Sequence, residues 1–304
     1  MSSTNLLITI VGPTAIGKTA LSIALAKHFN AEIISCDSRQ FYKEMTIGTA
    51  VPDANELAAV KHHFIQYRSI FDDYNVGSFE RDTLAKLDQL FKKNRVQIMV
   101  GGSGLYVDAV LKGLDYFPKV DLKIREQLTF QLENEGLEVL QEQLKKLDLE
   151  TYNNIELKNP KRVLRALEVC IGSGIPYSTF KNKPKTPRNF TALKIGLTAE
   201  RNVIYDRINE RVDIMVKNGL LEEAKNLHTH KKLNALQTVG YRELFSYFEG
   251  EFTKEFAISE IKKNTRRFAK RQITWFKKDI NTLWFDFNTD IKEIIAKISD
   301  KINF

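Results

Sequence analysis

Apolar residues follow two rhythms along the chain. Short, mainly apolar runs at 6–11 and 96–100 end in Gly12-Pro13 and Gly101-Gly102, and a third at 32–36 ends at Asp37. Such short runs, bounded by turn residues, predict strands buried on both faces of a parallel sheet. Between them lie stretches with helical spacing. One covers 20–29, with Leu21, Ala24 and Leu25, and stops at Asn30; another covers 80–93, with Leu84, Leu87, Leu90 and Phe91 on one side. This alternation predicts an α/β fold: a parallel sheet wrapped by helices, with loops at the carboxyl ends of the strands forming the site.

From about Asp115 the rhythm changes. Residues 121–149 are charge-rich and helical in spacing, with no strand among them. Asn159-Pro160 opens another helix, because Asn caps well and Pro suits the first helical position; it runs to Gly172. Residues 181–189 hold two prolines and four basic residues and read as a linker. Strand character returns at 193–197, followed by helical stretches at 200–218, 220–228, 240–248 and 253–279 and a last strand at 283–287. The pattern predicts an all-helical insertion over 115–190, within an α/β core made of 1–114 and 191–304.

Composition adds boundaries. With 304 residues, 43% hydrophobic and 28% charged, the chain can bury a sizeable core. No apolar run nears the roughly 18 residues of a membrane helix, and the polar start with its short following run does not suit a signal peptide. A cytoplasmic protein without a membrane partner is expected. Cys36 and Cys170 make no disulfide framework and no four-cysteine zinc site, and the pairs His62-His63 and His228-x-His230 lack a third ligand. The net charge of +8 permits a polyanionic partner without requiring one.

The sharpest chemistry lies between the first strand and the first helix. Gly12-Pro13-Thr14-Ala15-Ile16-Gly17-Lys18-Thr19 fits G-x-x-x-x-G-K-[ST]. Successive backbone N–H groups in such a loop curl around a phosphate, and the helix N-terminus adds positive potential. Lys18 would neutralise the outer phosphate, and the Thr19 hydroxyl is placed to ligate Mg2+. A kinase or NTPase needs an acid at a neighbouring strand end. The strand at 96–100 ends in glycines, whereas Asp37 ends the second strand and opens Asp37-Ser38-Arg39-Gln40-Phe41-Tyr42. Asp37 is a candidate general base, a candidate to hold Mg2+ through a bound water, or alternatively a helix cap.

Taken in order, GPTAIGKT, DSRQFY, IGTAVP, GGSGLY, NPKRVLRALE, LQTVGYRE and RRFAKRQITWF resemble segments of the tRNA dimethylallyltransferase (tRNA isopentenyltransferase) family of bacterial type. The match spans about residues 6–280. The chain lacks the cysteines of the zinc-finger extension found in eukaryotic members, and it has Ser103 where the family more often has threonine. The resemblance implies a P-loop fold descended from nucleotide kinases, with the loop holding the diphosphate of dimethylallyl diphosphate and no NTP consumed. The acceptor would be the exocyclic amine of the adenosine 3′-adjacent to the anticodon, in the tRNA anticodon stem-loop, and the working unit a monomer.

The resemblance also implies roles for residues. Asp37 would accept the amine proton, Gly12 to Thr19 would bind diphosphate with Mg2+ on Thr19, and Arg211 would be a second cation on the leaving group, with Arg207 its competitor. Expected tRNA contacts are Asp37, Ser38, Arg39, Gln40, Ser103, Arg125, the segment Lys161, Arg162, Val163, Leu164 and Arg165, and the segment Gln237, Thr238, Val239, Gly240, Tyr241 and Arg242. Phe41, Tyr42 and Tyr241 are candidates to stack on bases, since the acceptor must leave its stack to reach a buried donor, though a core role suits Phe41 at least as well. The basic residues of 262–278 would face phosphate on one side of their helix. Composition alone would favour a solvated basic face for Lys161, Arg162 and Arg165, or a pair between Arg165 and Glu168; the resemblance reverses that.

Overall fold

The fold, taken from a computed structural model, is described for residues 5–302. The polar stretch Met1 to Thr4, on which the signal-peptide reading partly rests, lies outside the described residues. The elements run β1 (Leu6–Val11), α1 (Lys18–Phe29), β2 (Ile33–Ser35), α2 (Ala54–Ala59), β3 (His62–His63), α3 (Val76–Phe91), β4 (Val96–Val100) and α4 (Gly104–Lys112). Then come α5 (Leu122–Glu135), α6 (Leu137–Leu147), α7 (Leu149–Asn154) and α8 (Pro160–Ser173). The chain continues with β5 (Thr191–Thr198), α9 (Arg201–Lys217), α10 (Leu220–Leu227), α11 (Tyr241–Phe248), α12 (Lys254–Phe276), β6 (Leu283–Asp286) and α13 (Ile291–Ile302). Two units result: one is the chain up to Lys112 and from Arg188 onward, the other Gly113–Pro187.

The first unit is built on a six-stranded sheet in the order β3-β2-β4-β1-β5-β6, with every pairing parallel. Its centre, β1, is buried throughout, as a mainly apolar run must be when both faces are covered. Leu6, Ile8 and Ile10 point to one face and pack with Leu21 and Leu25 of α1 and Ile294 and Ile298 of α13. Leu7 and Val11 point to the other face and meet Ile34, Met99, Phe79 and Leu87. Each such side chain contributes roughly 1.5–3 kcal/mol by leaving water.

At the carboxyl end of the sheet, β1 and β4 part after Ile10 and Val100 come into register. A Cβ on Gly101 would lie 2.1 Å from the Cys36 carbonyl oxygen, so only glycine lets the ends of β2 and β4 lie this close. The last strand does join the sheet, at its edge beside β5.

The elements differ from the sequence pattern in places with local causes. α3 begins before residue 80 because Asn75 accepts from the amides of Gly77 and Ser78 and caps the helix there. α2 is announced by a capping box, Asp53 and Glu56, that the apolar pattern does not reveal. β3 and α13 are further elements that the pattern omits. The linker read over 181–189 is anchored at its far end: Arg188 donates to the carbonyls of Ala109 and Val110 and pairs with Glu80 at 2.5 Å. A guanidinium on the last carbonyls of α4 is favourable in sign.

The second unit is helical. The stretch 121–149 is broken at Gly136 (φ +89°) and at Asp148, whose carboxylate accepts from Thr151 and Ser178. Its core joins Leu128, Leu140, Leu144, Val163, Leu164 and Leu167.

Candidate active site

The phosphate loop joins β1 to α1 and is already curled. Gly12, Ala15 and Gly17 all take positive φ, at +142°, +63° and +105°, the kind of backbone turn from which a phosphate-binding loop is built. Lys18 folds back so that its Nζ donates to the Pro13 carbonyl at 2.7 Å. Burial pushes its ammonium down to about 7, the nearby Arg211 charge pushes the same way, and Asp37 opposes them. A diphosphate would supply the missing counter-charge and draw a proton onto Lys18. Calorimetry near pH 7 in buffers of differing ionisation heat should therefore detect proton uptake on diphosphate binding, reduced in Lys18→Met. Equal uptake in the two proteins would place the proton elsewhere.

Two arginines one helical turn apart on α9 meet the loop. Arg207 donates its Nε to the Ala15 carbonyl at 2.8 Å, and Arg211 donates to the Thr14 hydroxyl at 3.4 Å. Burial lowers the pKa of Arg211, while Asp37 counteracts this. Both guanidinium groups border the loop. Arg207 is tied to its backbone, whereas Arg211 also reaches a second cavity.

That second cavity explains why Asp37 stands where it does. A cavity of about 420 Å³ is lined by Thr14 to Ala20, Ser35, Gln40, Pro52, Glu56, Arg207 and Arg211. Another, of about 340 Å³, is lined by Ser38, Arg39, Ser103, Gln237 to Gly240, Arg242, Phe268 and Arg271. Thr14, Asp37, Thr49 and Arg211 line both. Asp37 lies in a turn beyond β2, where its Oδ1 accepts from the Arg39 amide at 2.9 Å. No helix starts there, so the capping alternative lapses. Ser103 accepts from the Ser38 amide at 3.0 Å and donates to the Ser38 hydroxyl at 3.1 Å, bracing the turn from the glycine end of β4. One cavity thus offers cations and amides, the other arginines and apolar walls, and a carboxylate stands on their common border.

Several expected contacts are corrected by burial. Tyr241 is fully buried, donates its hydroxyl to Glu223 at 2.7 Å and packs on Gly48, so it stacks on no base. Phe41 is 0% and Tyr42 4% exposed; they belong to an aromatic cluster with Tyr74, Phe79 and Tyr106. Gln40 lines the loop-side cavity, and its amide is committed to Ser35 and to the carbonyls of Thr49 and Ala50. Val163 and Leu164 face the core of the helical unit. Phe41, Val163 and Leu164 are apolar, and Gln40 and Tyr241 are hydrogen-bonded within the fold, so folding uses them before a ligand can.

In the helical unit Lys161 and Arg162 are exposed at the start of α8, Arg162 beside Glu156 at 3.4 Å. Arg125 and Arg165 both reach the buried Glu168 carboxylate, at 3.0 and 3.2 Å, so the pairing of Arg165 with Glu168 is present. Their side chains remain 46% and 41% exposed. In the first unit, α12 buries Ala257, Ile261, Ala269, Gln272 and Phe276 and exposes Arg267, Lys270 and Arg271, and Lys277 and Lys278 just past its end are exposed too.

Two residues that the sequence did not single out organise the site. Glu223 gathers the amides of Thr46, Ile47 and Gly48 and the Tyr241 hydroxyl, fixing the segment that carries Thr49. Gln272 bonds the phosphate loop. A glutamate on the apolar side of α10 was the only available signal for the first; the second had none.

A parallel sheet, a phosphate loop and a carboxylate shared by two cavities define a P-loop transferase that brings a phosphorylated donor to a separate acceptor. The sequence model of the IPP transferase family matches residues 40–279. A tRNA dimethylallyltransferase of Flavobacterium psychrophilum is 60% identical over 304 residues, covering 98% of this chain and 99% of that one. Another from Flavobacterium johnsoniae is 62% identical over 302 residues, covering 97% and 98%. Among solved structures, the tRNA isopentenylpyrophosphate transferase of Bacillus halodurans aligns with a TM-score of 0.74 at 38% identity, over 98% and 97% of the chains. A eukaryotic dimethylallyltransferase acting on tRNA aligns with a TM-score of 0.83 at 26% identity, over 99% and 80%. The chain belongs to the IPP transferase family.

Proposed function

We propose that this enzyme transfers a dimethylallyl group from dimethylallyl diphosphate to the N6 amine of the adenosine 3′-adjacent to the anticodon of tRNA. The observation that carries the reading is Asp37 on the wall common to the two cavities. In the reaction the C1–O bond of the donor breaks and the electron pair leaves with diphosphate. A bond forms between C1 and N6, and one N6 proton passes to the Asp37 carboxylate. Lys18, Arg211 and the loop amides stabilise the charge gathering on the leaving group. Arg39, Arg242 and Arg271 suit RNA phosphate, and Phe268 offers a ring face in the acceptor cavity.

The donor atoms also suit Mg2+. Among the described residues no group of three His, Cys, Asp or Glu converges to cage a metal. The Thr19 hydroxyl and the Asp37 carboxylate both line the loop-side cavity, and such sparse hard oxygen ligation matches an ion held largely by substrate phosphates and water. When bound, Mg2+ would neutralise diphosphate charge, with Thr19 holding it. Among the described residues no helix is long and apolar enough to cross a membrane, and we place the reaction in the cytoplasm with its tRNA.

Labelled dimethylallyl diphosphate offered with tRNA, AMP or ATP tests the reading. Label is expected in tRNA alone, at the adenosine named; label in AMP, or ADP released from ATP, would overturn it. Contact between tRNA phosphates and the helical unit makes a second, quantitative demand. Affinity should fall with a log–log salt slope of roughly 0.7–0.9 per neutralised phosphate. Arg162→Gln with Arg165→Gln should flatten that slope by about one to two in total. An unchanged slope would return these arginines to the solvent.

A further inference from the structure

We propose that Gln272 is a positioning residue for the reaction: its buried amide holds the phosphate loop in its diphosphate-binding shape from helix α12. The inference rests on the donor site described above and adds to it a residue from the far end of the chain.

Gln272 is 6% exposed. Its Oε1 accepts from the Thr14 amide at 2.9 Å, and its Nε2 donates to the Gly102 carbonyl at 2.9 Å. A backbone amide can only donate and a carbonyl only accept, so the two partners determine which way the side-chain amide points. The position explains the need. The ladder between β1 and β4 ends with Ile10 opposite Val100, and the Gly101 amide still donates to the Ile10 carbonyl at 3.1 Å. Beyond it the two chain ends must separate to make room for a ligand, which leaves a donor at Thr14 and an acceptor at Gly102 without strand partners. The Gln272 amide spans them and replaces the missing ladder. Gly102 is glycine for the same reason, since a Cβ there would stand 2.2 Å from the Gln272 Nε2.

The consequence passes through one more residue. Thr14, held by its amide, presents its hydroxyl to Arg211 at 3.4 Å, and both residues line the two cavities. Gln272 therefore orients the entry of the phosphate loop and, through Thr14, the cation beside it. It lines neither cavity itself, so its effect is on geometry and not on contact with a substrate.

The test uses two variants of the whole protein, with inorganic diphosphate as calorimetric probe and prenyl transfer to tRNA as assay. Gln272→Met keeps the shape and removes both hydrogen bonds. It should weaken diphosphate binding, and raise KM for dimethylallyl diphosphate, by about tenfold or more, while tRNA affinity stays within twofold. Gln272→Glu separates positioning from packing. A neutral carboxyl can accept from Thr14 and donate to Gly102 as the amide does, whereas the ionised form repels the Gly102 carbonyl. Burial raises a carboxyl pKa, so diphosphate affinity of this variant relative to wild type should recover as pH falls from 8 to about 5.5. No such recovery is expected of Gln272→Met. Diphosphate affinity within twofold of wild type in Gln272→Met, or equal losses for diphosphate and tRNA, would overturn the proposal. If Gln272→Met does not fold, a pH-independent ratio for Gln272→Glu overturns it alone. Wild-type protein that binds diphosphate but prenylates no tRNA would count against the acceptor reading and leave this one standing.

Discussion

Asp37→Asn is expected to leave both substrates bound and to slow prenyl transfer by about 10²- to 10⁴-fold, the usual contribution of a general base. That corresponds to roughly 3–5 kcal/mol at the barrier. The structure makes the substitution a clean one. Among the described residues, the Asp37 side chain accepts one hydrogen bond, from the Arg39 amide at 2.9 Å, and an asparagine oxygen can accept it equally well. The turn should survive, with the basicity gone. A proton that must leave N6 as the bond to C1 forms then has no acceptor on the wall shared by donor and acceptor cavities. Because that interaction belongs to the transition state, kcat and kcat/KM should fall together. Single-turnover transfer to tRNA provides the measurement; a rate within tenfold of wild type would remove Asp37 from the chemistry.

Lys18→Ala should act on binding instead. Truncating one partner of a buried charged pair costs about 2–5 kcal/mol, so affinity for dimethylallyl diphosphate should fall by about 10²-fold or more. The fold should not suffer equally. In the free protein the ammonium is disfavoured by burial and by Arg211, which is why its pKa drops to about 7, and it donates to the Pro13 carbonyl. Removing it relieves that penalty, and the melting temperature at neutral pH should stay level or rise. Calorimetry and a thermal melt on one preparation distinguish the outcomes. Affinity within threefold of wild type would sink the assignment of the loop, and unfolding would show that Lys18 is structural.

What the sequence determined by itself was local. Gly12 to Thr19 could be read as a phosphate loop because eight consecutive residues, a preceding apolar strand and a following helix make that site almost alone. Asp37 was legible for a similar reason, as an acid closing a short buried strand beside the loop. The helical insertion showed itself because its residues lack strand rhythm over a long interval. Resemblance in ordered segments then supplied the reaction.

What only the tertiary structure decided was the use of residues that act at a distance. Tyr241, Phe41 and Tyr42 have the chemistry to stack on bases, but neighbours far along the chain bury them first. Gln40 and Gln272 are the same residue type, and nothing local separates them. One is spent on Ser35, Thr49 and Ala50 nearby, while the other reaches Thr14 across a sequence separation of 258. Arg207 and Arg211 share a helix face, and only the cavities distinguish the arginine bound to the Ala15 carbonyl from the one that borders both cavities. A side chain's type restricts what it can bond, but in a folded chain its partners are set by which distant segments the packing of the sheet and helices brings within reach.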